Sequence, residues 1–140
     1  MVRVLFARLC KEIRRNQQTG LFSLVRSFAH LRRTNGPVGF VCVFYWEKAD
    51  ETFCQSFALT DEAGNLLEET PSTECVLNPH RETVSTAFFY ASFPQAGRYR
   101  IRVHQNGVCI ETIPLPVVEA SQIGDRYPVR LAPFESAAPG

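Results

Sequence analysis

The dipeptide Asn106-Gly107 lies between two stretches of alternating apolar and polar residues, and it constrains the fold more than any other feature of the sequence. A type I′ β-turn needs positive φ at both central residues, a need that Asn-Gly meets well. A two-residue loop here predicts that Gln105 faces Val108 and that Val103 faces Ile110. The sequence therefore predicts an antiparallel hairpin, and with it a β-rich domain.

The two faces of this hairpin follow from the alternation of side chains along a strand. The predicted core face consists of Tyr99, Ile101, Val103, Val108 and Ile110. The predicted outer face carries Arg98, Arg100, Arg102, His104, Cys109 and Glu111. In this register Arg102 falls opposite Glu111, an opposite-charge pair of the kind that stabilises a sheet by about 0.2–1 kcal/mol.

The remaining strands are indicated by their composition. Residues 38–46 and 83–93 are rich in β-branched and aromatic side chains and apolar on both alternating faces, which is typical of central strands. Residues 52–60 alternate and lead into a turn at Asp61-Glu-Ala-Gly64. Pro114 and Pro116 lack backbone donors and predict an edge strand. A length of 140 residues suits one domain, which we assign to residues 1–120.

The two ends of the chain are less strongly patterned. Residues 121–140 contain three prolines and few periodic apolar groups, which predicts a flexible tail. The alternative is that Tyr127, Val129, Leu131 and Phe134 dock on a partner as an extended segment. The first 35 residues have apolar groups at helical spacing around Gln17-Gln-Thr-Gly20, which indicates two short helices. The alternative is a long hairpin with its turn at the same place.

Tyr99, two residues after Gly97 at the start of a strand, resembles the corner of immunoglobulin-like sandwiches, in which the tyrosine hydroxyl anchors a turn. The cysteine expected two residues later is replaced by Ile101, and the alternative interpretation of Tyr99 is a core aromatic. A wider resemblance rests on Cys10-Lys-Glu-Ile-Arg14, Thr19-Gly-Leu-Phe-Ser-Leu-Val25, Asp61-Glu-Ala-Gly64, Phe93-Pro-Gln-Ala-Gly-Arg-Tyr99 and Ile113-Pro-Leu-Pro-Val117.

These segments resemble a group of small, uncharacterised bacterial β-sandwich proteins that are known only as a domain of unknown function. The resemblance covers about residues 4–118 and implies that the N-terminal segment forms strands rather than helices. The chain departs from it at Arg32-Arg-Thr-Asn-Gly36, where a longer connection is expected. No activity, cofactor or catalytic residue is implied. The expected fold is an all-β, two-layer, immunoglobulin-like sandwich of seven or eight antiparallel strands.

Charge and cysteine content restrict the classes of function. Residues 1–35 carry a net charge of +7 and residues 47–82 a net charge of −7, so that opposed blocks can meet within or between subunits. The five cysteines are widely spaced and form no CxxC pair, which argues against a zinc or redox motif. Free thiols and an N-terminus without an apolar h-region lead us to expect a cytoplasmic protein.

The strands with two apolar faces suggest a binding function. A sandwich buries one face of each sheet and leaves the other wet, so an apolar outer face needs a cover. The candidate interface residues are Val41, Val43, Tyr45, Phe89 and Phe93. We expect a non-catalytic interaction or assembly module that docks on a partner protein or on a second copy as a homodimer.

Two alternatives come from other residues. Binding of nucleic acid or another polyanion would use the arginines of the N-terminal block, Arg3, Arg8, Arg14, Arg15, Arg32 and Arg33. A thiol enzyme would use Cys109 and His104, the one Cys–His pair that the hairpin places together. No signature surrounds that pair, and we expect neither catalysis nor a cofactor. No histidine pair or carboxylate spacing indicates a metal site.

Overall fold

A computed structural model describes residues 2–119 of the chain. These residues form ten β-strands, and none of them lies in a helix able to cross a membrane. The strands are β1 (Val4–Arg15), β2 (Phe22–Ser27), β3 (Leu31–Arg33), β4 (Val38–Trp46), β5 (Thr52–Thr60), β6 (Leu66–Glu69), β7 (Thr73–Val76), β8 (Thr83–Ala91), β9 (Gly97–Gln105) and β10 (Val108–Glu119). The predicted flexible tail, residues 121–140, lies outside the described residues.

The strands form two sheets that pack face to face. Sheet A has the order β2-β1-β4-β8, and sheet B has the order β3-β10-β9-β5-β6, with β7 also paired to β5. β4 and β8 thus take the positions of strands B and E of an immunoglobulin-like sandwich, and β5, β9 and β10 those of C, F and G. The predicted all-β, immunoglobulin-like class is confirmed. The described strands number ten instead of seven or eight, and β3 covers the end of β10 that we expected to be an edge.

The helical interpretation of the first 35 residues is wrong, because pairing with the central strand overrides the local periodicity. β1 runs antiparallel to β4, with Leu9 opposite Cys42 and Cys10 opposite Val41. Its second half pairs with β2 in a hairpin whose loop is closed by Gly20 in the left-handed region, at φ 76°. Each half of β1 thus has one strand partner for its backbone groups, and Cys10, where the two pairings meet, is completely buried.

The core between the sheets is largely aromatic. Phe44 of sheet A stacks on Phe57 of sheet B with ring centroids 4.4 Å apart. At one end, Trp46 contacts Phe53 edge-on at 5.0 Å. Because these side chains lie on alternate positions of their strands, each strand contributes one complete face to the core.

The Asn106-Gly107 turn is confirmed, with φ 51° at Asn106 and φ 83° at Gly107. Gln105 pairs with Val108 as predicted, but a β-bulge between Cys109 and Glu111 changes the register beyond it. Val103 therefore faces Glu111 instead of Ile110, and the predicted pairing of Arg102 with Glu111 is wrong.

The bulge also changes which residues face the core. Val108 is 55% exposed rather than buried, and Ile110 is half-buried. After the bulge, Leu115 and Val117 point inward and are buried. One extra residue shifts the period-two alternation by one position, which aligns this second apolar set with the core.

Tyr99 forms the predicted corner. Its hydroxyl donates a 2.7 Å hydrogen bond to the carbonyl oxygen of Gln95, four residues upstream. Its ring is buried against Phe93 at 4.9 Å. Both interpretations of Tyr99 therefore apply, since the ring belongs to the core while the hydroxyl anchors the turn that leads into β9.

Candidate functional site

The outer face of sheet A is partly covered by the chain itself. Val41 and Val43 of β4 point outward, yet they are 3% and 0% exposed. The β1–β2 hairpin packs over them with three apolar side chains, Ile13, Phe22 and Leu24. This second apolar cluster explains why β4 is apolar on both faces: one face contacts sheet B, and the other contacts the N-terminal hairpin.

The predicted interface residues are consequently not surface residues, with Tyr45 as a partial exception. Val41 and Val43 lie beneath the hairpin, and Tyr45 is half-buried and stacked on Phe6 with centroids 4.2 Å apart. Phe89 and Phe93 are 2% and 3% exposed and belong to the inner core. The prediction that Phe89 and Phe93 lie on an outer apolar face is wrong.

The register explains the position of Phe89. Phe89 pairs with Phe40, whose side chain points toward sheet B, so both rings lie inside the sandwich. The residues of β8 that point outward are the alternate ones, Phe88 and Tyr90, which are 59% and 68% exposed. The Tyr90 ring lies over Gly39, within 3.5 Å of the position that a Cβ atom would take there.

β8 is also the edge strand of sheet A, and its outer edge has no strand partner within residues 2–119. The backbone N–H of Tyr90 donates a 2.8 Å hydrogen bond to the Glu68 carboxylate, which occupies one end of this edge. Residues 83–91 contain no charged side chain, proline or glycine. β8 thus lacks the usual features that protect an edge from pairing with another chain.

Four of the six predicted anion-binding arginines make contacts with other residues of the chain. Arg3 pairs with Glu47 at 3.7 Å and Arg14 with Glu12 at 3.0 Å. Arg8 lies 5.6 Å from the centroid of the Phe6 ring.

Arg33 has a structural role. Its guanidinium donates to the carbonyl oxygens of Phe93 and Pro94, each at 2.8 Å, and to the Glu119 carboxylate at 3.3 Å. It thereby ties the end of β10 to the connection between the sheets. Of the six arginines predicted to bind an anion, the remaining two, Arg15 and Arg32, are exposed and show no such pairing within residues 2–119.

A different set of basic side chains converges in a groove of about 600 Å³ beside the β1–β2 hairpin, with Lys11, Arg26, His30 and Arg32 on its walls. We call this the basic groove. Of these residues only Arg32 belonged to the predicted set. The others lie in the same basic block of residues 1–35, and this membership was the one available signal.

The predicted Cys109–His104 pair is correctly placed but not assembled for catalysis. The two residues are directly opposite across the hairpin, and Cys109 is exposed. Among residues 2–119, the contacts of the Cys109 thiol go to the Glu111 carbonyl oxygen at 3.5 Å and to the Thr112 hydroxyl at 4.0 Å. His104 Nδ1 is buried without a partner within the same range. A nucleophile needs a base in hydrogen-bond contact and a third group that orients it, and this arrangement supplies neither.

The described residues contain no group of three or more His, Cys, Asp or Glu side chains that could hold a metal ion. Burial raises the pKa of the Cys42 and Cys75 thiols and also that of Cys10. These three thiols are therefore poor nucleophiles in the folded protein.

Comparison with known proteins gives similarity of structure only. No family model matches the chain, and no curated protein matches its sequence. An immunoglobulin-like protein from Pseudomonas aeruginosa is similar to it over 84% of this chain and 97% of that one, with 11% identity and a TM-score of 0.45. The C-terminal domain of wzt is similar over 85% of this chain and 74% of that one, with 11% identity and a TM-score of 0.46.

Proposed function

We propose that the protein is a non-catalytic assembly module, two copies of which pair through β8. The observation that carries the proposal is the open edge of β8, with Phe88 and Tyr90 exposed beside it. An uncharged edge strand offers unpaired N–H and C=O groups to another strand, and the exposed aromatic rings add apolar contact area. The occupant is a second copy of the chain.

The direction of the backbone groups defines the pairing. The N–H of Tyr90 points away from β4, toward Glu68. Because this direction alternates with a period of two, the backbone groups of Val84, Thr86 and Phe88 also point to the open edge. A two-fold axis at Thr86 would pair Val84 of each copy with Phe88 of the other. This register uses all three open positions and leaves the bond between Tyr90 and Glu68 intact.

Charge complementarity favours a second copy over an unrelated strand. Arg15 lies beside Val84 and Thr86 near the beginning of β8, where these residues line one small pocket. Glu68 lies at the other end of β8. Antiparallel pairing about a two-fold axis brings the beginning of one β8 to the end of the other, so Arg15 of each copy approaches Glu68 of its mate.

Light scattering coupled to size exclusion, over a concentration series from low to high micromolar, tests the proposal. We expect the mass to rise from one copy to two. Phe88→Lys places a charge on the edge and should keep the protein monomeric. The matched control is Val108→Lys, at a residue that is 55% exposed on the other sheet and should not affect the mass.

A charge swap tests the two-fold geometry independently. Arg15→Glu should weaken the dimer through repulsion by Glu68, and Arg15→Glu with Glu68→Lys should restore it in part. A wild-type protein that stays monomeric throughout the series would refute self-pairing. Equal weakening by Phe88→Lys and Val108→Lys would show that the dimer forms elsewhere.

A further inference from the structure

The basic groove lies at the opposite edge of sheet A from β8, so the following inference is independent of the proposed function. Its walls carry Lys11, Arg26, His30 and Arg32, and its lining also includes Phe28, Ala29 and Leu31. Leu31 is buried and Phe28 is half-buried against the core. The groove therefore combines cationic walls with an apolar floor.

Lys11 and Arg26 occupy opposing positions of the β1–β2 hairpin. The flanking pairs are Cys10 with Ser27 and Glu12 with Val25, which places Lys11 and Arg26 across from each other. Like charges opposite one another destabilise a sheet. Burial, and secondarily the charge of Arg26, lowers the pKa of Lys11. A half-buried Lys11 thus lies across from an exposed Arg26 of the same charge, which is an arrangement that a bound anion would stabilise.

The backbone of Arg26 supports a role for its side chain. Arg26 adopts φ 57°, in the left-handed region, where it and Asn106 are the only residues other than glycine among residues 2–119. Asn106 belongs to a turn type that favours asparagine, whereas arginine has no such preference. A non-glycine residue in this region is under backbone strain, and such residues concentrate at functional sites.

No aspartate or glutamate lines the groove. The three salt bridges seen within residues 2–119 involve Arg3, Arg14 and Arg33, all outside it. The cations of the groove are therefore not neutralised there by carboxylates of the described chain. The hydroxyl-bearing residues Ser27 and Thr34 also line it and add potential donors.

We propose that the basic groove binds a small organic phosphate, with the phosphate groups held by Lys11, Arg26 and Arg32 and the organic part on Phe28. Arginine and lysine are the side chains that bind phosphate in proteins, arginine through its planar fork and lysine as a point charge. The volume of the groove, about 600 Å³, falls in the range of small-molecule sites. The positive charges of Lys11, Arg26 and Arg32 match a ligand with two or three negative charges, such as a phosphate monoester or a diphosphate.

Isothermal titration with pyrophosphate and with phenyl phosphate, at constant ionic strength adjusted with chloride, tests this site. We expect saturable binding of one molecule per chain. Arg26→Asn should weaken it by about tenfold to a hundredfold, the effect of losing one charged hydrogen bond. Asparagine tolerates positive φ, so this variant removes the cation while keeping the hairpin geometry. Lys11→Gln should weaken binding to a similar extent.

Arg98→Gln is the matched control, because it removes one exposed arginine from sheet B and should leave the affinity unchanged. Circular dichroism verifies that each variant is folded. Absence of saturable binding, or equal affinity of wild type and Arg26→Asn, would overturn the proposal. A short oligothymidylate that binds, and loses binding in Arg26→Asn, while both small phosphates fail, would replace the small ligand with a nucleic-acid backbone.

Discussion

A chain of hydrogen bonds that begins in the core links the two sheets and allows a quantitative test of the packing. The indole N–H of Trp46 donates to the Ser85 hydroxyl at 2.9 Å, and that hydroxyl donates to Gln55 Oε1 at 2.7 Å. The Gln55 amide in turn donates to Thr73 Oγ1 at 3.4 Å. Trp46 and Ser85 belong to sheet A, whereas Gln55 and Thr73 belong to sheet B.

Ser85→Ala should destabilise the fold mainly through the indole N–H that it leaves unpaired. Trp46 is 0% exposed, so no water replaces the lost acceptor without opening the core. A buried unsatisfied donor costs about 1–3 kcal/mol, and we expect about 2 kcal/mol here. Gln55 Oε1 also loses its donor, but Gln55 is half-buried and water replaces part of that hydrogen bond. This second loss adds about 0.5 kcal/mol to the destabilisation. The expected loss in free energy of unfolding is about 2.5 kcal/mol.

The same substitution in a Trp46→Phe background should cost much less, because phenylalanine has no N–H to leave unpaired. We expect about 0.5–1 kcal/mol there, and therefore a coupling energy of about 2 kcal/mol between the two positions. The cost of the smaller ring itself cancels in the double-mutant cycle.

Urea unfolding of the four proteins measures this coupling. Far-UV circular dichroism is the suitable signal, since the sequence contains one tryptophan and the cycle removes it. All four proteins are compared at one concentration at which light scattering shows a single species, because association would add to apparent stability. Equal losses from Ser85→Ala in both backgrounds would refute the assignment of the cost to the indole N–H.

Two further predictions concern thiols and acid stability. In the native protein an alkylating reagent should modify Cys54 and Cys109 rapidly, as counted by mass spectrometry, and modification of all five before unfolding would contradict the described burial. Hydrogen bonds from Asn65 lower the pKa of Asp61, so its contribution to stability is present above the ordinary aspartate pKa and is lost as pH falls through the lowered value. Asp61→Asn should flatten this part of the stability curve, as measured by urea unfolding between about pH 2 and 6, and an unchanged curve would exclude Asp61 as its source.

Local turn chemistry was predictable because it depends on few neighbouring residues. Asn106-Gly107 selects its turn whatever lies around it, and the hydroxyl of Tyr99 reaches a carbonyl only four residues away. The register beyond the bulge near Ile110 was predictable in principle from a change of phase. Within β10 the apolar residues fall on even positions up to Ile110 and on odd positions from Ile113 to Val117. A strand accommodates this change of phase by one extra residue, which forms a bulge.

The N-terminal segment shows where local patterns fail. Its helical spacing was real, but β4 offered a long-range partner that satisfies the backbone of β1 and buries Cys10. Both faces of a strand can be apolar because a segment distant in the sequence covers the second face. Leu24 is the nearest in sequence of the three hairpin side chains that cover Val41 and Val43, and it precedes Val41 by 17 positions.

The sequence by itself determined the all-β class, the hairpin turn and the Tyr99 corner, since these depend on turn chemistry and on alternation within single strands. Tertiary structure alone decided which apolar face is covered, because the register of β8 against β4 turns Phe89 inward and Phe88 outward. Tertiary structure also decided which basic side chains meet in the basic groove. Lys11 and Arg26 are 15 positions apart, and they lie across from each other because this segment forms the β1–β2 hairpin instead of two helices.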